Sequence, residues 1–230
     1  MPLDLSRIQG LCFDVDGTLS DTDDQFVRKL VHWLSPLRFV FPQRDPLPFA
    51  RRVVMVTENP ANFMAGVPDR LGIDGAIAAM GDFFYRQGLG KSESPFLLID
   101  GVRGMLECLL PHYPMSVVTA RGLRSTERFL DQFGLRPFFR CVAAAQTCKH
   151  TKPYPDPILW AAEQMGLPPQ ACLMIGDTTV DMRAGKAAGA QTVGVLCGFG
   201  EEAELNSTGA DLILPSTSAL SEILLNVSSR

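Results

Sequence analysis

The sequence predicts an α/β fold built on a mostly parallel sheet, and three observations lead there. Short apolar runs recur at 8–13, 115–118, 141–145, 172–175, 192–196 and 211–214. Between them lie segments of helical period at 102–110, 124–133, 157–165, 179–188 and 218–224. Strands that read as continuous apolar runs and alternate with helices belong to a sheet covered on both faces. The third observation is an interruption. Residues 22–94 carry apolar residues at helical spacing, broken at Pro36, Pro42, Pro46, Pro48, Pro60 and Pro68, with little strand pattern. The expected organisation is therefore an α/β core of 1–21 and 95–230, with an all-helical cap inserted at 22–94. An insertion that leaves after the first strand and returns near Ser94-Pro95 would sit over the carboxyl ends of the strands, where open α/β sheets bind ligands.

Bulk composition narrows the function. A chain of 230 residues, 46% of them hydrophobic, can bury a full core. A formal net charge of -4 and a pI of about 5.4 argue against a nucleic-acid partner, which would call for a basic surplus. Any phosphate must then be met by a local site. Cys12, Cys108, Cys141, Cys148, Cys172 and Cys197 form no CxxC pair and read as reduced, buried small hydrophobes. His32, His112 and His150 have no metal-ligand spacing, and no zinc pattern is present. The opening MPLDLSRIQG lacks a positive region followed by a long apolar stretch, and no run reaches the roughly 18 apolar residues of a membrane span. A cytoplasmic protein without a membrane partner is expected, as a monomer or homodimer.

The chemistry concentrates at strand ends. The first strand runs into Asp14-Val15-Asp16-Gly17-Thr18, two carboxylates two residues apart after an apolar run. Burying like charges so closely needs compensation, and a magnesium ion held by carboxylates, water and phosphate oxygens supplies it. A lone DxDG would read as an acidic turn. The second strand ends in Thr119, whose hydroxyl, with neighbouring backbone N–H groups at Ala120 and Arg121, suits phosphate oxygens; alone it would read as a cap. Lys152 begins Lys-Pro-Tyr-Pro-Asp-Pro, a stiff loop able to aim the ammonium inward, with Asp156 and Pro157 as N-cap and first helical position; the plainer reading is a solvated lysine, as expected of Lys149. A later strand runs into Gly176-Asp177-Thr178-Thr179-Val180-Asp181, with one carboxylate at the strand end and another in the first helical turn. The helix dipole alone would favour that pair, but four such strand ends in one chain point to phosphate chemistry.

In this order DVDGTL, the Thr119 strand end, KPYPDP and GDTTVD resemble the four motifs of the haloacid dehalogenase superfamily. The likeness covers roughly 7–22 and 95–226, and the stretch 198–214 is similar to the end of phosphoglycolate-phosphatase-like members. The resemblance implies a Rossmann-like core with a helical cap and a magnesium-dependent phosphatase. In it Asp14 is the nucleophile that forms an aspartyl phosphate, and Asp16 is the general acid and then base. It further implies Mg2+ held by Asp14, the Asp16 carbonyl and Asp177, with Asp181 close by, acting through water or orienting Lys152. Thr119 and Lys152 would bind the phosphoryl oxygens. The dehalogenases that name the superfamily lack both the acid and the metal, so Asp16 with Asp177 and Asp181 points away from dehalogenation.

One position departs from the pattern. Many relatives carry asparagine or glycine after the motif threonine, where this chain has Ala120 and Arg121. Ala120 offers no side-chain donor, and two readings of Arg121 stay open: a fork directed at phosphate or an anionic leaving group, or a solvent-facing arginine at a helix start.

A small phosphorylated metabolite is the expected substrate, phosphoglycolate-like or a sugar phosphate, with nucleotides open. Arg38, Arg51, Arg52, Arg70 and Arg86 and the run Phe83-Phe84-Tyr85 are the cap's candidates for selecting it, although solvated arginines and an aromatic cap core are the plainer reading. Two rival functions share the motifs: a phosphomutase, which returns the phosphoryl group to a bound sugar, and a silent phosphate-ligand binding protein. No cap motif supports the first, and a binding role does not need both a nucleophile and a paired acid.

Overall fold

A computed structural model describes residues 3–21 and 96–225, with the isolated positions 31, 34, 35 and 38. The expected helical cap at 22–94, with its arginines and aromatic run, lies outside the described residues apart from those few positions. Met1–Gln25 and Phe96–Arg230 form one compact unit of the chain.

The described elements alternate as the apolar runs predict. Strand β1 (Gly10–Phe13) is followed, after the insertion, by α1 (Val102–Leu109), β2 (Met115–Val118), α2 (Leu123–Gln132) and β3 (Cys141–Ala143). Then come α3 (Asp156–Met165), β4 (Cys172–Gly176), α4 (Thr179–Ala188), β5 (Gln191–Val195), α5 (Glu202–Ser207), β6 (Leu212–Leu214) and α6 (Leu220–Leu225). All six strands are parallel, in the order β3-β2-β1-β4-β5-β6. The chain winds outward from β1 in one direction and from β4 in the other, so the crevice where the order reverses opens between their carboxyl ends.

Side-chain alternation along the strands sorts the core into two layers. Leu11, Phe13, Leu173 and Ile175 pack on one face with Leu106, Phe129, Leu130 and Leu220. Cys12, Cys172 and Met174 pack on the other with Ile158, Ala161, Ala162, Ala184 and Ala188 of α3 and α4. The second layer is built largely of small side chains, alanine and cysteine. Phe13 is fully buried against Phe139, ring edge to ring at 6.2 Å, and its replacement by alanine would cost about 3–5 kcal/mol.

Two local expectations are corrected, and one helix has no counterpart in the sequence pattern. The N-cap of α3 is Pro155, and Asp156 is the first helical residue, bonded to His150 Nδ1 at 2.9 Å instead of capping the helix. The short α5 has no apolar period, and one buried residue, Leu205, anchors it. Of the six cysteines, all free, only Cys12, Cys141 and Cys172 are buried; Cys108 is exposed because it falls off the Met105, Leu106 and Leu109 face of α1.

Candidate active site

The carboxyl end of β1 passes directly into a tight loop. Val15 O accepts from the N–H groups of Thr18, Leu19 and Ser20, at 3.3, 2.8 and 2.8 Å, and Gly17 N–H donates to Ser20 O at 2.9 Å. Asp14 N–H donates to Ile175 O of β4 at 2.9 Å, so its side chain leaves the sheet beside the neighbouring strand's end. Gly17 holds a φ of 71°, and a Cβ there would collide with the Asp177 carboxylate. Asp177 can therefore lie close over the loop.

Asp177 follows β4. Its Oδ1 accepts from Thr18 Oγ1 at 3.4 Å and its Oδ2 from Phe199 N–H at 2.8 Å. Asp181 sits one turn into α4 and closes a capping box with Thr178, whose N–H and Oγ1 donate to Asp181 Oδ2 at 3.0 and 2.6 Å. From the loop after β3, Lys152 reaches in with Nζ 2.8 Å from Asp14 Oδ1 and 2.6 Å from Asp181 Oδ1. It is 3% exposed, whereas Lys149 is exposed, so the stiff loop does aim its lysine inward.

At the end of β2, Thr119 is buried and its Oγ1 accepts from Arg121 N–H at 3.1 Å. Ala120 is half-buried and contributes backbone at this turn. Arg121 is not solvent-facing. Its side chain is 11% exposed, and its fork grips Asp16, Nε donating to Oδ2 at 3.0 Å and Nη2 to Oδ1. Its guanidinium carbon lies 4.9 Å from the centre of the Phe96 ring.

The electrostatics are unbalanced. Burial pushes the Asp14 carboxyl up to about 7, Lys152 opposing and the negative Asp181 and Asp16 reinforcing it. Burial, Asp181 and Asp14 likewise hold Asp177 well above the carboxylate range. Lys152 loses hydration on burial, but Asp14 and Asp181 outweigh that loss and keep it protonated.

Comparison with known proteins gives the family. A family model described as haloacid dehalogenase-like hydrolase matches residues 11–195. The chain belongs to the haloacid dehalogenase-like hydrolases. It is an enzyme, a hydrolase, and its relatives include proteins named as phosphatases. It is 28% identical to a protein of Pseudomonas putida named phosphoglycolate phosphatase, over 90% of this chain and 76% of the relative. It is also 28% identical to one of Anoxybacillus flavithermus named pyrophosphatase PpaX, over 95% and 97%. Among solved structures, a haloacid dehalogenase-like family hydrolase of Streptococcus pneumoniae shares the fold, with a TM-score of 0.67, 22% identity and 96% and 99% of the two chains covered.

In this hydrolase a divalent cation fits the donor set. One oxygen each from Asp14, Asp177 and Asp181 lies within 4.8 Å of the others, all three residues buried. Lys152 alone answers them among the described side chains bonded to the group. A hard cation would favour all three charged forms and relieve the repulsion that raises Asp14 and Asp177.

Two contacts to Asp177 escaped the sequence reading. Thr18 could have been found, since it follows the acidic pair directly. Phe199 N–H could not: a backbone donor 22 residues away carries no side-chain signature. Gly198 beside it leaves room for the carboxylate that a Cβ would strike.

Proposed function

We propose that this phosphatase hydrolyses a small-molecule phosphate monoester, magnesium-dependent, through an aspartyl phosphate on Asp14. The observation that carries the reading is the placement of Asp14: buried, bonded to Lys152 and grouped with Asp177 and Asp181 at the crevice of the sheet. A carboxylate there is stripped of water on most sides and held by one cation, which suits attack on phosphorus.

Asp14 Oδ attacks phosphorus as the ester oxygen leaves, and Asp16 gives that oxygen its proton. Asp16 then takes a proton from the water that attacks the phosphoryl-enzyme, and phosphate departs with Asp14 restored. Thr119 Oγ1 is held by Arg121 N–H and can donate its own proton to a phosphoryl oxygen. Lys152 Nζ, already 2.8 Å from Asp14, offsets the charge that builds on the transferring group. Asp14, the Asp16 carbonyl and Asp177 would hold Mg2+, which when bound screens the nucleophile from the phosphoryl charge and helps align the two. Asp181 acts chiefly by orienting Lys152, since its oxygens are engaged by Lys152 and Thr178.

The substrate proposed is a phosphorylated metabolite, in a cytoplasmic enzyme. The test is inorganic phosphate release from a panel that includes phosphoglycolate, sugar phosphates, nucleotides and pyrophosphate, with and without Mg2+, for wild type and Asp14→Asn. Magnesium-dependent release abolished by Asp14→Asn is expected. Release that survives Asp14→Asn would remove Asp14 as nucleophile, and silence across the panel would sink the reading.

A further inference from the structure

Arg121 is a cation at the reaction centre that the phosphoryl-transfer steps do not use. Its backbone N–H is bonded to Thr119 Oγ1 at 3.1 Å, so the guanidinium stands one side-chain length from the proposed phosphoryl site. Its fork meets both oxygens of Asp16, through Nε at 3.0 Å and through Nη2. The other face of the guanidinium is covered by Phe96. Phe96 is itself fixed, edge-on to Phe129 at 5.8 Å, with its carbonyl accepting from Gln132 Nε2 at 3.1 Å. Lys152 is already shared between Asp14 and Asp181.

The leaving alcohol must lie against Asp16, because Asp16 is the group that protonates its oxygen. It must therefore also lie within reach of the fork that holds Asp16. We propose that Arg121 selects substrates whose leaving group carries its own negative charge, exchanging its bonds to Asp16 for bonds to that anion; this rests on the phosphatase reading above. A carboxylate or a second phosphoryl group near the scissile bond offers the same pair of oxygens that Asp16 offers, and a planar fork held by an aromatic floor is preorganised for it. In a site this enclosed such a pairing is stronger than at an open surface. A neutral leaving group has nothing to exchange and leaves the fork on Asp16.

Matched esters separate charge from size. Phosphoglycolate is compared with 2-phosphoglycolamide, and 2-phosphoglycerate with glycerol 2-phosphate, by steady-state phosphate release with Mg2+. Wild type is expected to prefer the carboxylate partner by about tenfold or more in kcat/KM in at least one pair. Arg121→Gln should bring that ratio close to one, mainly through KM of the anionic ester, while Arg121→Lys, which keeps the charge but not the fork, keeps part of it. Thermal melting of each variant checks that the fold is retained. A wild type that hydrolyses the esters without preference overturns this inference and leaves the phosphatase reading standing. So does an Arg121→Gln variant that slows both members of a pair equally, since that would mean the residue only positions Asp16. No magnesium-dependent turnover of any ester would remove the phosphatase reading, and this inference with it.

Discussion

Lys152 and Lys186 each bond to aspartate at close range, yet their surroundings differ. Lys152 lies 3% exposed among Asp14, Asp181 and, beyond them, Asp177, one cation facing three buried carboxylates. Lys186 lies at the end of α4, its side chain 37% exposed, 2.5 Å from Asp211. Around the first lysine, burial and like charge drive carboxyl groups up; at the second, the partner is held below its usual range. The matched pair serves the fold. The unmatched cluster opposes it, and a bound cation would supply the positive charge it lacks.

Removing each lysine breaks the comparison most directly. Lys152→Met should lower stability by about 3–5 kcal/mol, because it leaves buried carboxylates without their cation, and should abolish phosphate release. Lys186→Met should cost about 1 kcal/mol or less and leave catalysis intact. Urea denaturation in the presence of a chelator measures both. Equal losses would mean that the two lysines do the same work.

Supplying the missing charge should sharpen it. Mg2+ at about a hundred times its dissociation constant should stabilise the wild type by about 2.7 kcal/mol and raise Tm accordingly. Asp177→Asn can keep an acceptor for Phe199 N–H through its amide oxygen and turn its NH2 to Thr18 Oγ1, which can accept, but it removes one buried ionisable carboxyl. That variant should melt higher than wild type in chelator and respond to Mg2+ weakly. A full Mg2+ response in Asp177→Asn would place the cation elsewhere. The packing around Asp177 gives a smaller effect. Gly198→Ala sets a Cβ against the Asp177 carboxylate and Gly17 O, a backbone atom with little freedom to move, and should cost about 2 kcal/mol with weakened Mg2+ affinity.

The difference between the two regions also marks how far the sequence could be read. The acidic strand ends, the inward lysine and the parallel sheet were legible because each is local: an apolar run, a turn and the residue that follows. The Arg121 fork on Asp16 spans 105 positions, and an arginine at a helix start gives no sign of whether it meets a carboxylate or water. Phe199 N–H acts through backbone, and α5 rests on one buried leucine, so neither leaves a pattern. Residue types announced the chemistry; the fold decided which of them met.

The smallest effect belongs to the matched pair. Burial alone would raise the Asp211 carboxyl, but the Lys186 hydrogen bond and the N–H and Oγ1 of Thr192, at 2.8 and 3.2 Å, outweigh it and hold it low. A carboxyl whose pKa is lower folded than unfolded stabilises the fold above the unfolded value of about 3.9 and loses that contribution as pH falls through the folded value. Asp211→Asn should therefore melt below wild type by a constant margin between about pH 5 and 8, roughly 1 kcal/mol, and the two curves should converge in acid. The margin should narrow only partly in high salt, because the Asp211 side chain is 6% exposed and the Thr192 bonds are not ionic pairs. A margin that stayed constant down to pH 2 would show that the pair contributes through shape alone, and the contrast with Lys152 would then be one of burial without charge.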